Sequence, residues 1–233
     1  MTTTVRLYAY HRAIHMESIE ERHAEVADKM RRVGPPLGWA GLDVPPAPDC
    51  GADLSADFEV KYPIPGLKCF GSYIYRDPEY RYEDESFYDD KLRMLFNLSS
   101  RNLDYRAILH EHNPKVIEAF RAYRACAFFR SYFVEYDEQH AEIHKQLSAD
   151  KSIDIDGRNN IFSLGPALYW DNLLCRRALG YGPEEVIRRL QGQVPLVKPL
   201  MDGVYTVFGD DPDLTYEEFT AINDRFKPIL GLI

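Results

Sequence analysis

The order in which strand-like and helix-like segments follow one another limits the fold of this chain more than any other feature. Val5 to Ala13 alternates Val5, Leu7 and Ala9 with Arg6, Tyr8 and Tyr10, the pattern of a half-buried strand. A helix comes next: Ser18 and Glu21 form a capping box, and Ile19, Val26, Met30 and Val33 recur at helical spacing until Gly34-Pro35-Pro36 stops it. Residues 34–57 are rich in Pro and Gly and read as a long surface connection. Phe58 to Tyr62, Cys69 to Tyr75 and Leu92 to Leu98 read as strands. Asn113-Pro114 starts a helix, with Asn as cap and Pro at the first position, and Val116, Ile117, Phe120 and Tyr123 form its apolar face.

Ala125 to Tyr136 (ACAFFRSYFVEY) is the strongest strand signal, aromatic, β-branched and apolar on both faces, and is expected at the centre of a sheet. Helices are expected over Asp137 to Leu147, Pro166 to Leu179 (Trp170, Leu173, Leu174 and Ala178 inward) and Pro183 to Leu190, with a turn at Asp154 to Gly157. Gly203 to Phe208 reads as a strand, and Thr215 with Glu218 caps a last helix carrying Phe219, Ile222, Phe226 and Leu230. Because these elements mix without a regular βαβ beat, the fold class expected is α+β, a largely antiparallel sheet with helices packed on it, in one domain over residues 1–233.

A chain with 45% hydrophobic and 13% aromatic residues has apolar surface to bury and is not a disordered type. No apolar run approaches the ~20 residues of a membrane helix, and the first residues lack a secretory pattern, so the expected location is the cytoplasm, away from the membrane. Cys50, Cys69, Cys126 and Cys175 form no C-x-x-C pair and read as reduced thiols, Cys126 and Cys175 in core-like surroundings. The net charge of −9 opposes direct nucleic-acid binding and would attract a basic protein.

Several patterns touch on chemistry. Pro48-Asp49 followed by Glu59-Val60-Lys61 matches the bare P-D…(D/E)-x-K pattern of metal-dependent nucleases, in which two carboxylates hold a divalent cation and the lysine orients the attacking water. An acidic chain lacks the positive groove such an enzyme needs, so this is the alternative reading. His140 and His144 stand one helical turn apart, but the glutamate between them is misplaced for H-E-x-x-H. His11 with His15 and His110 with His112 are looser pairs. A calcium loop around Asp154-Ile-Asp156-Gly157 would need acids where Ser152 and Ser163 stand. No G-x-S-x-G elbow, Walker loop, G-x-G-x-x-G turn or catalytic-cysteine signature occurs. The sequence therefore predicts a binding protein and not an enzyme, with no cofactor and no metal.

The candidate interface is the acidic, Tyr-rich insertion at 76–91. From Asp77 to Asp90 it has seven acids against one arginine. Tyr80, Tyr82, Glu83, Asp84, Glu85, Tyr88, Asp89 and Asp90 are the expected contact residues, tyrosines supplying rigid area and carboxylates steering a basic partner. Asp210, Asp211 and Asp213 form a second, smaller acidic stretch, part of it explained by the helix that follows.

The C-terminal third is similar to a known group. Asp156-Gly-Arg-Asn-Asn-Ile-Phe-Ser-Leu-Gly-Pro166, Tyr169-Trp-Asp171, Leu174-Cys-Arg-Arg177, Pro183 to Leu190, Leu200 to Phe208, Leu214 to Glu218 and Lys227 to Leu232 resemble immunity proteins of bacterial polymorphic toxin systems. Residues 150–233 carry the resemblance, most firmly at Trp170-Asp171 and Asp202-Gly203. It implies a cytoplasmic protein that neutralises a toxin delivered by contact-dependent or type VI secretion. The subfamily it most resembles pairs with nuclease toxins of the restriction-endonuclease fold, which implies a basic, DNA-facing partner. It supplies no catalytic residues. An adaptor that loads an effector for secretion is the other binding function compatible with this reading.

Overall fold

A computed structural model describes residues 4–50, 54–76, 85–98 and 103–232. Among the described residues, eight strands form one antiparallel sheet in the order β2-β3-β4-β1-β5-β6-β8-β7, with helices packed on it. The α+β expectation holds. No helix among them is long and apolar enough to cross a membrane.

β1 (Thr4–Arg12) lies between β4 (Asp89–Asn97) and β5 (Arg124–Phe129). β2 (Ser55–Lys61) and β3 (Lys68–Ile74) extend the sheet beyond β4; β6 (Ala167–Trp170), β8 (Gly203–Val207) and β7 (Leu196–Leu200) extend it beyond β5. β7 was not anticipated: Pro199 cannot donate to a ladder, which an edge strand tolerates.

Alternation decides what each face meets. One face presents Val5, Leu7 and Ala9 of β1, Leu92, Met94 and Phe96 of β4, and Ala125, Ala127 and Phe129 of β5, all buried. It is covered by α1 (Ile19–Arg32) through Val26 and Met30, and by α3 (Asn113–Ala119) through Val116 and Ile117. The capping box of α1 forms as read, Ser18 accepting from the Glu21 N–H and Glu21 from that of Ser18. The chain after α1 is not wholly a surface connection. Leu37 and Trp39 are fully buried, and the Trp39 N–H bonds back to the Met30 carbonyl at 2.8 Å.

Three segments differ from the sequence reading for definite reasons. β5 stops at Phe129, and α4 (Arg130–Gln139) begins at once. The aromatic residues that suggested a long strand, Phe129, Tyr132, Phe133 and Tyr136, are spaced i, i+3, i+4, i+7. The last three set their rings 5.6–5.9 Å from Phe219 of α8 (Tyr216–Leu230), the capped terminal helix. α5 (Ala141–Ala149) continues the polar helix.

The expected helix over Pro166 to Leu179 is strand β6 followed by α6 (Asn172–Leu179), because Asp171 caps a new helix through the Leu174 N–H at 2.7 Å. Leu173, expected inward, is exposed. Asn113 opens α3 with Pro114 in its first turn, as expected, but not as a free cap, because the helix is entered from residues that are already helical. α2 (Tyr105–Ala107), capped by Asp104, runs through a π-helical turn (Ile108–His112) into α3, and Asn113 is buried with its amide on the Tyr205 hydroxyl at 3.2 Å. α7 (Pro183–Leu190) forms where expected.

Candidate functional site

The second face of the sheet is covered on one side only. Over β6 and β8 it carries Leu168, Trp170 and Val204, which pack under Leu174 of α6, Val186 and Leu190 of α7, and Phe226 and Leu230 of α8. The same rows continue across the sheet. Trp170 pairs with Arg124, Arg124 with Tyr10, Tyr10 with Lys91, Lys91 with Ser72 and Ser72 with Asp57. One row along, Cys126, Tyr8, Arg93, Phe70 and Glu59 are in line. These residues are half-buried or exposed, where their counterparts on the opposite face are buried.

This open half is aromatic and cationic. Tyr8 stacks on Phe128 at 5.3 Å and on Tyr10 at 5.7 Å, and the Arg93 guanidinium lies 5.0 Å over the Phe70 ring. A shallow cleft of about 290 Å³ opens between Tyr8, Phe70, Lys91 and Arg93. On the open part of this face Arg6, Lys61, Lys68, Lys91 and Arg93 stand with Asp57 and Glu59, while Asp89 on the same face of β4 is buried against Arg158. None of the five cations has an ion pair among the described residues, and the Nε atoms of Arg6 and Arg93 are shielded from solvent without an acceptor. Sequence reading missed this surface. The signal was present in the polar positions of β1, since Tyr8 and Tyr10 occupy places where a solvent-facing strand needs no aromatic ring.

The expected interface is rearranged. Tyr80, Tyr82, Glu83 and Asp84 lie outside the described residues. Glu85 is exposed and Tyr88 half-buried. Asp89 and Asp90 are not surface contacts: both are buried, and as neighbours on β4 they point to opposite faces. Asp90 accepts from the Ile74 N–H at 3.1 Å and pairs with Arg76 at 2.7 Å and Arg22 at 3.6 Å. Asp89 accepts from the Tyr123 hydroxyl at 2.5 Å and from Arg158 at 2.7 Å. Burial pushes both carboxyls above the usual carboxylate range, against the pull of Arg76 on one and Arg158 on the other. They are struts that tie β4 to the elements on either side.

In the second acidic stretch, Asp210 is engaged by Arg106 at 3.0 Å and His110 at 2.9 Å, whereas Asp211 and Asp213 are exposed. The Asp211 carboxylate receives the Asp213 N–H at 2.9 Å.

Of the alternative metal set, Glu59 and Lys61 project side by side from the exposed side of edge strand β2, and Asp49 is exposed in the preceding connection. Among the described residues no group of three His, Cys, Asp or Glu side chains is placed to hold a metal ion. The histidine pairs have other company. His140 stacks 4.0 Å from Tyr136, His144 sits edge-on to Phe162, and His11 is buried with its Nδ1–H on the Arg121 carbonyl at 2.9 Å. Burial, aided by Arg22, lowers the His11 pKa to about 3.

The segment that carries the resemblance is a brace. Asp154 accepts from Ser86 and from the Arg158 N–H, Asp156 accepts from the Phe162 N–H, and Asn223 of α8 accepts from the Leu164 N–H. Gly157 must be glycine here, because a Cβ would meet the Asp154 carboxylate at 2.0 Å. Compared with known proteins, the chain matches no protein-family model, and no curated protein is significantly similar to it.

Proposed function

We propose that the chain is a binding protein of the immunity kind, which holds a cognate toxin domain on the open half of its sheet and so blocks it in the cytoplasm. The observation that carries binding is that open half itself, where rigid rings and unpaired cations stand on strands β2, β3, β4 and β1 with no described helix packed over them. Interfaces draw most of their energy from such aromatic and arginine anchors once a partner removes the water. That the partner is a toxin, and among toxins a nuclease, rests on the resemblance of residues 150–233. The net charge of −9 favours approach of a basic domain, while the patch that seats on Lys91 and Arg93 must offer carboxylates or ring faces.

Co-expression with the product of the neighbouring gene, which this reading expects to carry a toxin domain, tests this. Wild-type protein restores growth and co-purifies with the toxin; the double variant Tyr8→Ala/Arg93→Glu does neither, although it folds. If the wild type leaves the toxin active yet binds it, the protein is an adaptor. If the double variant protects fully while Asp211→Lys/Asp213→Lys does not, the interface is the acidic stretch. DNA cleavage by the purified protein in magnesium that disappears in Glu59→Ala would establish the metal-dependent nuclease instead.

A further inference from the structure

At the seam between the covered and open halves, the second face of the sheet sinks into a pocket of about 190 Å³ beneath the 156–163 segment. This equals roughly six waters at about 30 Å³ each. Its walls are ring faces from Tyr10, Phe128, Phe133 and Trp170. Its polar groups are Arg124, Asp156, Asn160 and Ser163.

Arg124 is the unusual member. Its guanidinium lies 4.1 Å over the Tyr10 ring, yet it makes no hydrogen bond or ion pair among the described residues, and its Nε has no solvent exposure and no acceptor. A guanidinium presents five N–H donors; here the buried Nε–H goes unmatched, which is costly, and an anion on the fork would satisfy it.

Arg124 attracts the Asp156 carboxylate electrostatically, but that carboxylate makes its hydrogen bonds elsewhere. Its two oxygens accept from the Phe162 N–H at 2.7 Å, the Ser163 N–H at 3.3 Å and the Ser163 hydroxyl at 3.2 Å. It is held there by a backbone with φ of 47°, in the left-handed region that a β-carbon disfavours. Across the pocket the Asn160 amide also makes no hydrogen bond among the described residues, and its Oδ1 is sealed from solvent. A guanidinium whose Nε has no acceptor and an amide oxygen without a donor thus line a pocket with aromatic walls.

We propose that this pocket binds a small monocarboxylate bearing an O–H or N–H group, the carboxylate on the Arg124 fork and the donor on Asn160 Oδ1. A single negative charge fits because the Asp156 carboxylate beside the pocket opposes a second one, which disfavours a phosphate dianion. The ring faces favour a flat ligand body. The proposal does not depend on the toxin-binding reading, although Tyr10 and Phe128 border both surfaces.

Titration of the whole protein with acetate, 4-hydroxybenzoate and inorganic phosphate, followed at the Arg124 Nε–H resonance and by melting temperature, tests the assignment. The expected result is a shift of Arg124 Nε and a rise in melting temperature with 4-hydroxybenzoate. Its Kd should be at least tenfold below that of acetate, with no response to phosphate. Arg124→Met abolishes binding, and Asn160→Leu brings 4-hydroxybenzoate to the level of acetate. An Arg124 Nε resonance in the wild type that is unmoved by millimolar concentrations of every probe overturns the proposal, whatever becomes of the variants. Phosphate binding as tightly as 4-hydroxybenzoate overturns the choice of a monocarboxylate.

Discussion

Trp170 and Lys91 stand on the same face and the same row of one sheet, three strands apart, and have opposite fates. Trp170 is 2% exposed, under the helices that follow β6. Lys91 looks outward beside Arg93 and Tyr8 with no ion pair among the described residues. The backbone is the same antiparallel ladder in both places, so the difference comes from which helices follow which strands. α1 and α3 both go to the first face, while α6, α7 and the C-terminal half of α8 go to the second, close to β6 and β8. Among the described residues no helix covers half of one face, and its side chains are those that tolerate water and still offer rings and charge.

The largest expected effect breaks this contrast directly. Trp170→Ala removes a fully packed indole and should cost about 3–5 kcal/mol, the usual range for deleting a buried aromatic. Phe70→Ala on the open half should cost under ~1 kcal/mol, because its ring is half-exposed and loses mainly the Arg93 contact. Urea unfolding of the two variants checks it. Equal losses would mean that the open half is packed against something in solution, such as a second copy of the chain.

A second expectation sharpens the comparison at the buried end of the sheet, where β1 meets β4. His11 is held neutral in the fold with its pKa lowered to about 3, against an ordinary value of about 6.5. Between these values the unfolded chain binds a proton that the folded chain refuses, so stability rises with pH across the window and falls as pH drops through it. At pH 4 this amounts to roughly 2–4 kcal/mol. The difference in unfolding free energy between wild type and His11→Gln should therefore shrink by about that amount from pH 7 to pH 4. A difference that stays constant over this range would mean that the site admits a protonated imidazole.

How much of this was legible depends on whether the information was local. The strand β1 and the helices α1 and α8 were legible because each carries its own period and the two helices their own caps; Ser18 with Glu21 and Thr215 with Glu218 bond as their spacing indicates. The switch from β5 to α4 was not, since Ala125 to Tyr136 has the composition of a strand throughout. Only the position of Phe219 far along the chain makes Tyr132, Phe133 and Tyr136 a helix face. β6 was hidden for a similar reason. A four-residue run buried on both sides has no alternation, and the Asp171 cap that separates it from α6 looks from sequence like any polar residue in a helix.

The candidate site failed in a more instructive way. Charge density singled out 76–91, but two of its acids, Asp89 and Asp90, had their partners at Arg158, Arg22 and Arg76, and only the fold brings three of these within reach of adjacent positions. Tyr8 and Arg93 were overlooked because each is unremarkable alone. They become a surface only through the β1–β4 register.

The smallest expected effect concerns that surface. Lys91→Gln with Arg93→Gln removes the contact of Arg93 on Phe70, about 0.5 kcal/mol at an exposed position. It also relieves repulsion among Arg6, Lys68, Lys91 and Arg93, which lie on the same face of adjoining strands with Asp57 and Glu59 as exposed counter-charges. The two terms oppose each other, so unfolding free energy should stay within ~0.5 kcal/mol of wild type. Salt separates them. Raising ionic strength from ~0.01 M to ~1 M shortens the screening length from about 30 Å to about 3 Å and suppresses the repulsion but hardly the ring contact. Added salt should therefore stabilise the wild type relative to the double variant, by a few tenths of a kcal/mol in parallel urea titrations. A wild type that salt destabilises relative to the variant would mean that these cations are held by carboxylates in solution, and that the bare half of the sheet is already engaged.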